Sequence, residues 1–120
     1  MSGKLWPKVS VIWLNYNSIH AIDIAFKSLE AVANLNYPNF ELIIVDNGST
    51  DGSAQIIEKI VYEKLRSKMN VKFVRLKRNL GFTGGNNIGY RLKDPDSKYI
   101  MLTHNDVIPY PKSLRLLVEF

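Results

Sequence analysis

Four short apolar runs, each followed by a polar residue, most constrain how this chain can fold. They are rich in Val, Ile, Leu and aromatic residues and cover Val9–Leu14, Phe40–Val45, Val71–Leu76 and Tyr99–Thr103. Their length and their weak polar–apolar alternation are typical of buried parallel strands. Because helix-like stretches separate them, the pattern predicts an α/β fold built from βαβ units.

The stretches between the strands predict four helices. In the first, apolar residues at helical spacing should face the sheet, namely Ile22, Phe26, Leu29 and Val32. Asn17 or Ser18 is the predicted cap of that helix. Ile56–Leu65 marks a second helix, Ile88–Leu92 a short third helix after a flexible loop, and Leu114–Val118 a final one.

Composition narrows the classes of protein and partner. A length of 120 residues allows a single domain, and no apolar run approaches the ~20 residues of a membrane span. Met1–Lys8 is short and polar, and Cys is absent, so we expect a cytoplasmic protein, with peripheral membrane association as an alternative.

The net charge of +5 favours anionic partners. No aromatic platform accompanies the basic residues, so no nucleic-acid partner is expected.

The polar residues at the strand ends predict a ligand site. Asn15, Asp46, Asn79 and Asp106 follow the four runs, and sheets of this kind bind ligands outside the carboxyl ends of their strands. The carboxylate of Asp46 can accept a hydrogen bond from a ring N–H of a nucleotide base. Asp106 offers oxygen ligands to a hard divalent cation. Ordinary turn and cap chemistry is the alternative explanation, above all for Asn79.

The glycine-rich segment Gly81–Gly89 matches neither of two common nucleotide-binding motifs. The dinucleotide-binding motif G-x-G-x-x-G is absent after the first strand, where it should stand, and the Gly-Lys-Ser/Thr phosphate loop is absent as well. These glycines either let the backbone approach a ligand or serve a tight turn.

Four segments together resemble the inverting family 2 glycosyltransferases, which have a GT-A fold. The strongest match is Asn36–Ser53, which contains Val45-Asp46-Asn47-Gly48-Ser49-Thr50-Asp51. Val9–Asn17 resembles the first strand and its exit in that family, and Arg78–Gly89 resembles a segment of its rhamnosyltransferase-like members. Thr103–Val107 stands where the family has its D-x-D-type motif, with His104 in place of the first Asp.

The resemblance implies a three-layer, Rossmann-like α/β sandwich with parallel strands in order 3-2-1-4. It also implies a nucleoside-diphosphate sugar donor of the UDP or dTDP type, and Mg²⁺ or Mn²⁺ as cofactor. Asp106 would help to hold that metal at the diphosphate. The implied donor-binding residues are Asn15 and Tyr16 at the base pocket, Asp46 on the base, Asp51, Asn79 and Gly81 along the nucleotide, and Asn105 at the ribose or donor sugar.

The implied reaction is transfer of a sugar to an acceptor hydroxyl with inversion, by an enzyme of the hexosyltransferase type. The acceptor would be a sugar, a lipid-linked molecule or a protein. No catalytic residue is assigned, because the family's general base lies further along the chain than any match here, and Glu119 is expected at the surface. We therefore expect residues 1–120 to be the donor-binding part of a longer domain, inactive alone and self-associating through its uncovered last strand.

Two other functions fit parts of the pattern. A non-catalytic nucleotide-binding or interaction module would need only the strand-end residues. A nucleotidyltransferase would need a glycine-rich loop after the first strand, which Asn15-Tyr16-Asn17-Ser18 does not provide.

Overall fold

The computed structural model describes residues 6–119 and contains one sheet of four parallel strands. These are β1 (Val9–Asn15), β2 (Phe40–Asp46), β3 (Val71–Arg75) and β4 (Tyr99–His104), in the order β3-β2-β1-β4. The predicted order is confirmed, and every strand ends within one residue of its predicted end. Residues 1–5 of the polar N-terminal segment and residue 120 lie outside the described residues.

Helices follow each strand. A 3₁₀ turn (Ile19–Ala21) leads into α1 (Ile22–Ala33), and α2 (Ser53–Ile60) continues as a π-helical segment (Val61–Leu65). They are followed by α3 (Gly81–Leu92) and α4 (Ser113–Glu119). Within residues 6–119, none of these helices is both long and apolar enough to cross a membrane.

The sheet separates two apolar layers, which gives the predicted three-layer sandwich. On one face, side chains such as Val11, Trp13 and Ile44 pack with those of α1 and α2. On the other face, Ile12 and Leu14 of β1 lie beneath α3. All seven residues of β1 are buried, as expected for a strand with neighbours on both sides and helices on both faces.

Two details of the helix predictions are wrong. The third helix begins at Gly81 rather than near Ile88, because Gly85 and Gly89 face the sheet and permit close packing. A Cβ on Gly89 would lie 2.6 Å from Ile12 Cγ2, and one on Gly85 would lie 2.8 Å from Leu14 Cδ1. Phe26 was predicted to face the sheet but is 37 % exposed, since Ala25, Ser28, Leu29 and Val32 form the buried stripe of α1.

A cluster of charged side chains stabilises the sheet at the amino-terminal ends of its strands. The carboxylate of Glu41 is fully buried and accepts hydrogen bonds from Ser10 Oγ (2.6 Å) and the Asp94 amide (2.7 Å), with Lys72 Nζ 3.0 Å from its other oxygen. Burial alone raises the pKa of Glu41, but these bonds outweigh it and leave the pKa below its usual value. Bonds from Lys72 and then Lys8 lower the pKa of Asp94 to about 2.

Candidate functional site

The carboxyl ends of the two central strands are joined by a direct side-chain bond. Asn15 and Asp46 are register partners at the ends of β1 and β2, and Asn15 Nδ2 donates to Asp46 Oδ1 at 2.9 Å. Both residues are fully buried. Their types and positions agree with the sequence prediction, but their burial places them beneath the surface of the site rather than on it.

Asp46 organises the turn that follows β2. Its two carboxylate oxygens accept from Ser49 N at 2.9 Å and from Ser49 Oγ at 2.7 Å, in addition to Asn15. Asp46 is fully buried, and its carboxylate holds Asn15 and Ser49 in place. Its direct contact with a nucleotide base stays a prediction.

Asn15 links three loops. Its Oδ1 accepts from Ser18 Oγ at 2.6 Å and from Asn105 Nδ2 at 2.8 Å, while its amide nitrogen binds Asp46. The bond to Asn105 crosses between β1 and β4, where the strand order reverses and where such sheets open a ligand crevice. The side-chain oxygen and nitrogen of Asn15 both bind protein groups, and its place at a base pocket stays a prediction. Tyr16, the next residue, is 44 % exposed and remains available to a ligand.

Asp51 connects the start of the 3₁₀ turn after β1 with the start of α2. Its carboxylate accepts from Ile19 N at 2.9 Å, and from Ser53 N and Ser53 Oγ at 2.9 and 2.7 Å. Burial raises the pKa of Asp51, but these bonds prevail and lower it. Ser18 holds the N-cap position of the 3₁₀ turn before α1, but neither it nor Asn17 makes the predicted side-chain capping bond. The Ser18 hydroxyl donates to Asn15, and Asn17 Oδ1 accepts from Thr50 N at 2.8 Å.

Asn47 is a site residue that the sequence analysis did not single out. Its Oδ1 accepts from Leu80 N, and its Nδ2 donates to Gly81 O, both at 2.9 Å. Asn47 thereby holds the start of α3 against the end of β2. Only its position directly after the strand end could have pointed to it, since both partners are more than thirty residues away.

Asn79 and Gly81 lie together at the exposed exit of β3. Asn79 Oδ1 accepts from Gly81 N at 2.7 Å, as the loop-cap explanation predicts, and Gly81 has a φ of 77°. Both residues are exposed, so the Asn79 amide group can still meet a ligand.

The exit of β4 presents the most exposed acid of this edge. The side chain of Asp106 is 66 % exposed and makes a close contact with His104 Nδ1. The His104 ring also meets the Phe82 ring edge to face, with 6.4 Å between centroids. Asn105 is half-buried against Asn15. The four strand exits therefore meet at one edge, as predicted, with Asp106 at its rim.

The donor set at this edge fits a metal that is shared with a ligand. Within residues 6–119, no three His, Asp or Glu side chains are grouped so that they could hold a metal ion unaided. A single exposed carboxylate is the usual protein contribution where substrate phosphates and water complete the coordination of Mg²⁺. Asp106 meets that requirement, and the buried Asp46 does not.

Comparisons with known proteins agree on one family. Residues 10–120 match the family described as Glycosyl transferase family 2. An uncharacterized glycosyltransferase of Haemophilus influenzae is 34 % identical over 95 % of the chain, which spans 32 % of that protein. The poly(ribitol-phosphate) beta-N-acetylglucosaminyltransferase TarS of Staphylococcus aureus is 33 % identical over 82 % of the chain.

Solved structures show the same fold. The crystal structure of S. aureus TarS 1-349 with UDP-GlcNAc matches 93 % of this chain with a TM-score of 0.74 and 28 % identity, over 30 % of its own length. The mannosyltransferase PcManGT of Pyrobaculum calidifontis, solved with GDP-Man and Mn²⁺, has a TM-score of 0.79 at 21 % identity, a likeness of fold alone. The chain thus spans 32 % of the H. influenzae protein, 16 % of the curated TarS sequence, and 30 % and 31 % of the two solved chains.

Proposed function

The chain belongs to glycosyl transferase family 2, and from that premise we propose that it forms the donor-binding half of a sugar transferase. The donor would be a nucleoside-diphosphate sugar, and the sugar would pass to an acceptor hydroxyl with inversion at the anomeric carbon. One observation carries the proposal: the Asn15 bonds that draw the exits of β1, β2 and β4 together at the edge where the strand order reverses.

The exposed side chains of this edge are the proposed contacts of the nucleotide. Tyr16 offers a ring to the base, and Asn79 and Asn105 offer amide groups to the nucleotide and the ribose or donor sugar. Beneath these exposed side chains, Asp46 would keep Asn15 and Ser49 in place through hydrogen bonds. UDP is the first candidate and dTDP the second, a choice supported by the UDP-GlcNAc and UDP complexes of TarS.

Asp106 is the proposed protein ligand of Mg²⁺ or Mn²⁺. Its carboxylate lies at the rim of the crevice, and its present partner, His104, is a group that a cation would displace or join. When bound, the cation would neutralise negative charge on the leaving diphosphate. The chain's own side chains would hold the donor: Asn105 beside the sugar and the residues above along the nucleotide.

The transfer itself would need groups that we do not assign to this chain. The acceptor oxygen forms a bond to the anomeric carbon, the bond from that carbon to the diphosphate breaks, and the hydroxyl proton passes to a general base. We propose that the base comes from the additional length that the relatives possess. A nucleotide-binding module without catalysis is the second candidate, and it would bind the same nucleotides with no transfer in any longer form.

We further propose that the isolated chain pairs with a second copy through β4. Within residues 6–119, this strand pairs with β1 and with no other strand, and Ile100 and Leu102 are 37 % and 51 % exposed. Beside it, an apolar groove of about 580 Å³ is lined by β4 and by Leu114, Leu117 and Val118 of α4. An apolar strand with an unpaired edge is a template for pairing with another chain. We place the protein in the cytoplasm, or at a membrane surface through its positive charge.

The test is a titration of nucleotides into the chain with and without Mn²⁺. UDP should bind at least about tenfold more tightly with Mn²⁺, equal to about 1.4 kcal/mol, whereas uridine should not respond because it lacks phosphates. Asp106→Asn should abolish the Mn²⁺ effect. Asp96→Asn is the matched control, since Asp96 is another exposed acid (76 %) but faces Lys8 rather than the crevice. Absence of UDP binding, or an equal Mn²⁺ effect on uridine, would contradict the proposal.

A further inference from the structure

A buried chain of hydrogen bonds connects the centre of the sheet to the loop that carries Asp106. Trp13 in β1 is fully buried, and its Nε1 donates to Ser28 Oγ at 2.9 Å. Ser28 lies in the middle of α1 and is also fully buried. Ser28 is the polar member of the buried stripe of α1, whose other members are Ala25, Leu29 and Val32. Its hydroxyl therefore needs hydrogen-bond partners inside the protein.

The Ser28 hydroxyl faces two carbonyls of the loop after β4. It makes a close hydrogen bond to Val107 O and lies 3.1 Å from His104 O. A hydroxyl has one proton to donate and accepts with its lone pairs. Because Trp13 Nε1 donates to the Ser28 oxygen, the hydroxyl proton of Ser28 is directed to the loop. The carbonyls of His104 and Val107 flank the segment that contains Asp106.

The other side of the same loop is attached to β1. Asn105 N donates to Leu14 O at 3.1 Å, and Asn105 Nδ2 donates to Asn15 Oδ1 at 2.8 Å. Asp106 therefore stands between two attachments, one through Asn105 to the sheet and one through Ser28 to α1. Without the Ser28 bond, the loop would keep its attachment through Asn105 before Asp106, and a later one at Pro111 O, which accepts from Asn36 N at 2.7 Å.

We infer that Ser28 is a positioning residue, which sets the direction of the Asp106 carboxylate through the Val107 carbonyl. Residues that orient a metal-binding side chain commonly raise the affinity for the metal. They do so because the side chain is already ordered before the metal binds. The effect on metal rests on the proposed function, whereas the effect on the loop does not.

The first test measures the loop without any ligand. In Ser28→Ala, we expect the amides of Asn105 and Val107, which donate to Leu14 O and His104 O, to exchange with solvent at least about tenfold faster by NMR, as local opening becomes easier. Ser10→Ala is the matched control: Ser10 is a fully buried serine at the other end of β1, bonded to Glu41. It should leave those two amides unchanged.

The second test measures the gain in UDP affinity caused by Mn²⁺. Ser28→Ala should lose most of that gain while uridine binding stays within about twofold of the wild type. Trp13→Phe should keep the gain, because the hydroxyl of Ser28 and its bond to the loop remain. If Ser28→Ala does not fold, Ser28→Cys replaces it, since a thiol is a weaker hydrogen-bond donor than a hydroxyl.

The outcomes separate this inference from the proposed function. If the wild type shows no gain with Mn²⁺, the proposed function fails, and the exchange rates still decide the role of Ser28 in the loop. If the wild type shows the gain and Ser28→Ala keeps both the gain and slow exchange, the inference is overturned. Equal losses in Ser10→Ala and Ser28→Ala would also overturn it, because they would reveal general destabilisation.

Discussion

Replacing Gly48 by Ala should separate the exits of β2 and β3. Gly48 has a φ of 78°, and a Cβ added there would lie 2.3 Å from Arg78 C and 2.5 Å from Asn79 N. Both are backbone atoms, which cannot rotate away as the end of a side chain can. Since carbon atoms in contact are ~3.5–4.0 Å apart, the chain at Arg78 would have to retreat by about 1.2 Å or more.

The size of the effect follows from two separate costs. A non-glycine residue in the left-handed region costs about 1–2 kcal/mol. Forcing an extra carbon into a filled space costs about 1–3 kcal/mol more, so Gly48→Ala should lose about 2–5 kcal/mol of folding stability. A domain of this size loses about 4 °C in Tm per kcal/mol. Because Asn79 follows the displaced residue, nucleotide binding should weaken as well.

Gly52→Ala provides the matched control, measured by thermal unfolding and by titration with UDP. Gly52 has a φ of 95°, but a Cβ there would meet nothing within 4 Å. It should therefore carry only the first cost, about 1–2 kcal/mol, and keep UDP binding. We expect Gly48→Ala to melt about 4–12 °C below Gly52→Ala. Equal melting temperatures for the two variants would refute the argument that the β2 and β3 exits are in contact at Gly48.

Three further predictions concern separate parts of the fold. Glu41→Gln should cost about 1–3 kcal/mol at about pH 7. The pKa of Glu41 is lowered in the fold, so its stabilisation is present above the ordinary value of 4.5 and is lost as pH falls through the folded value. The urea midpoint of Glu41→Gln should therefore fall less on acidification than that of the wild type. Parallel plots of urea midpoint against pH for the two proteins would argue against this. Asp46→Asn should lower Tm, because one acceptor of Asn15 or Ser49 becomes a donor, at about 1–3 kcal/mol; an unchanged Tm would mean that the carboxylate organises nothing. Leu102→Lys should convert a dimer into a monomer in sedimentation, and a wild-type monomer would reject pairing through β4.

The strands were predictable because their signal is local. Buried parallel strands need uninterrupted apolar side chains, and that requirement is visible in each run by itself. The third helix was not predictable in the same way, because Gly81–Gly89 reads as a loop by propensity. Contact with Ile12 and Leu14 decides otherwise, since only glycine allows the helix to approach these side chains so closely.

The sequence by itself determined which residue types stand at the strand ends, and hence that Asn15, Asp46, Asn79 and Asp106 would meet at one edge. It did not determine which of them remain accessible. That was decided by the tertiary packing, which buries Asn15 and Asp46 and leaves Asp106 at the rim; the bonds that join the strand exits connect residues 31 and 90 positions apart. Residue types follow from local chemistry, whereas burial and pairing depend on which distant segments the fold brings into contact.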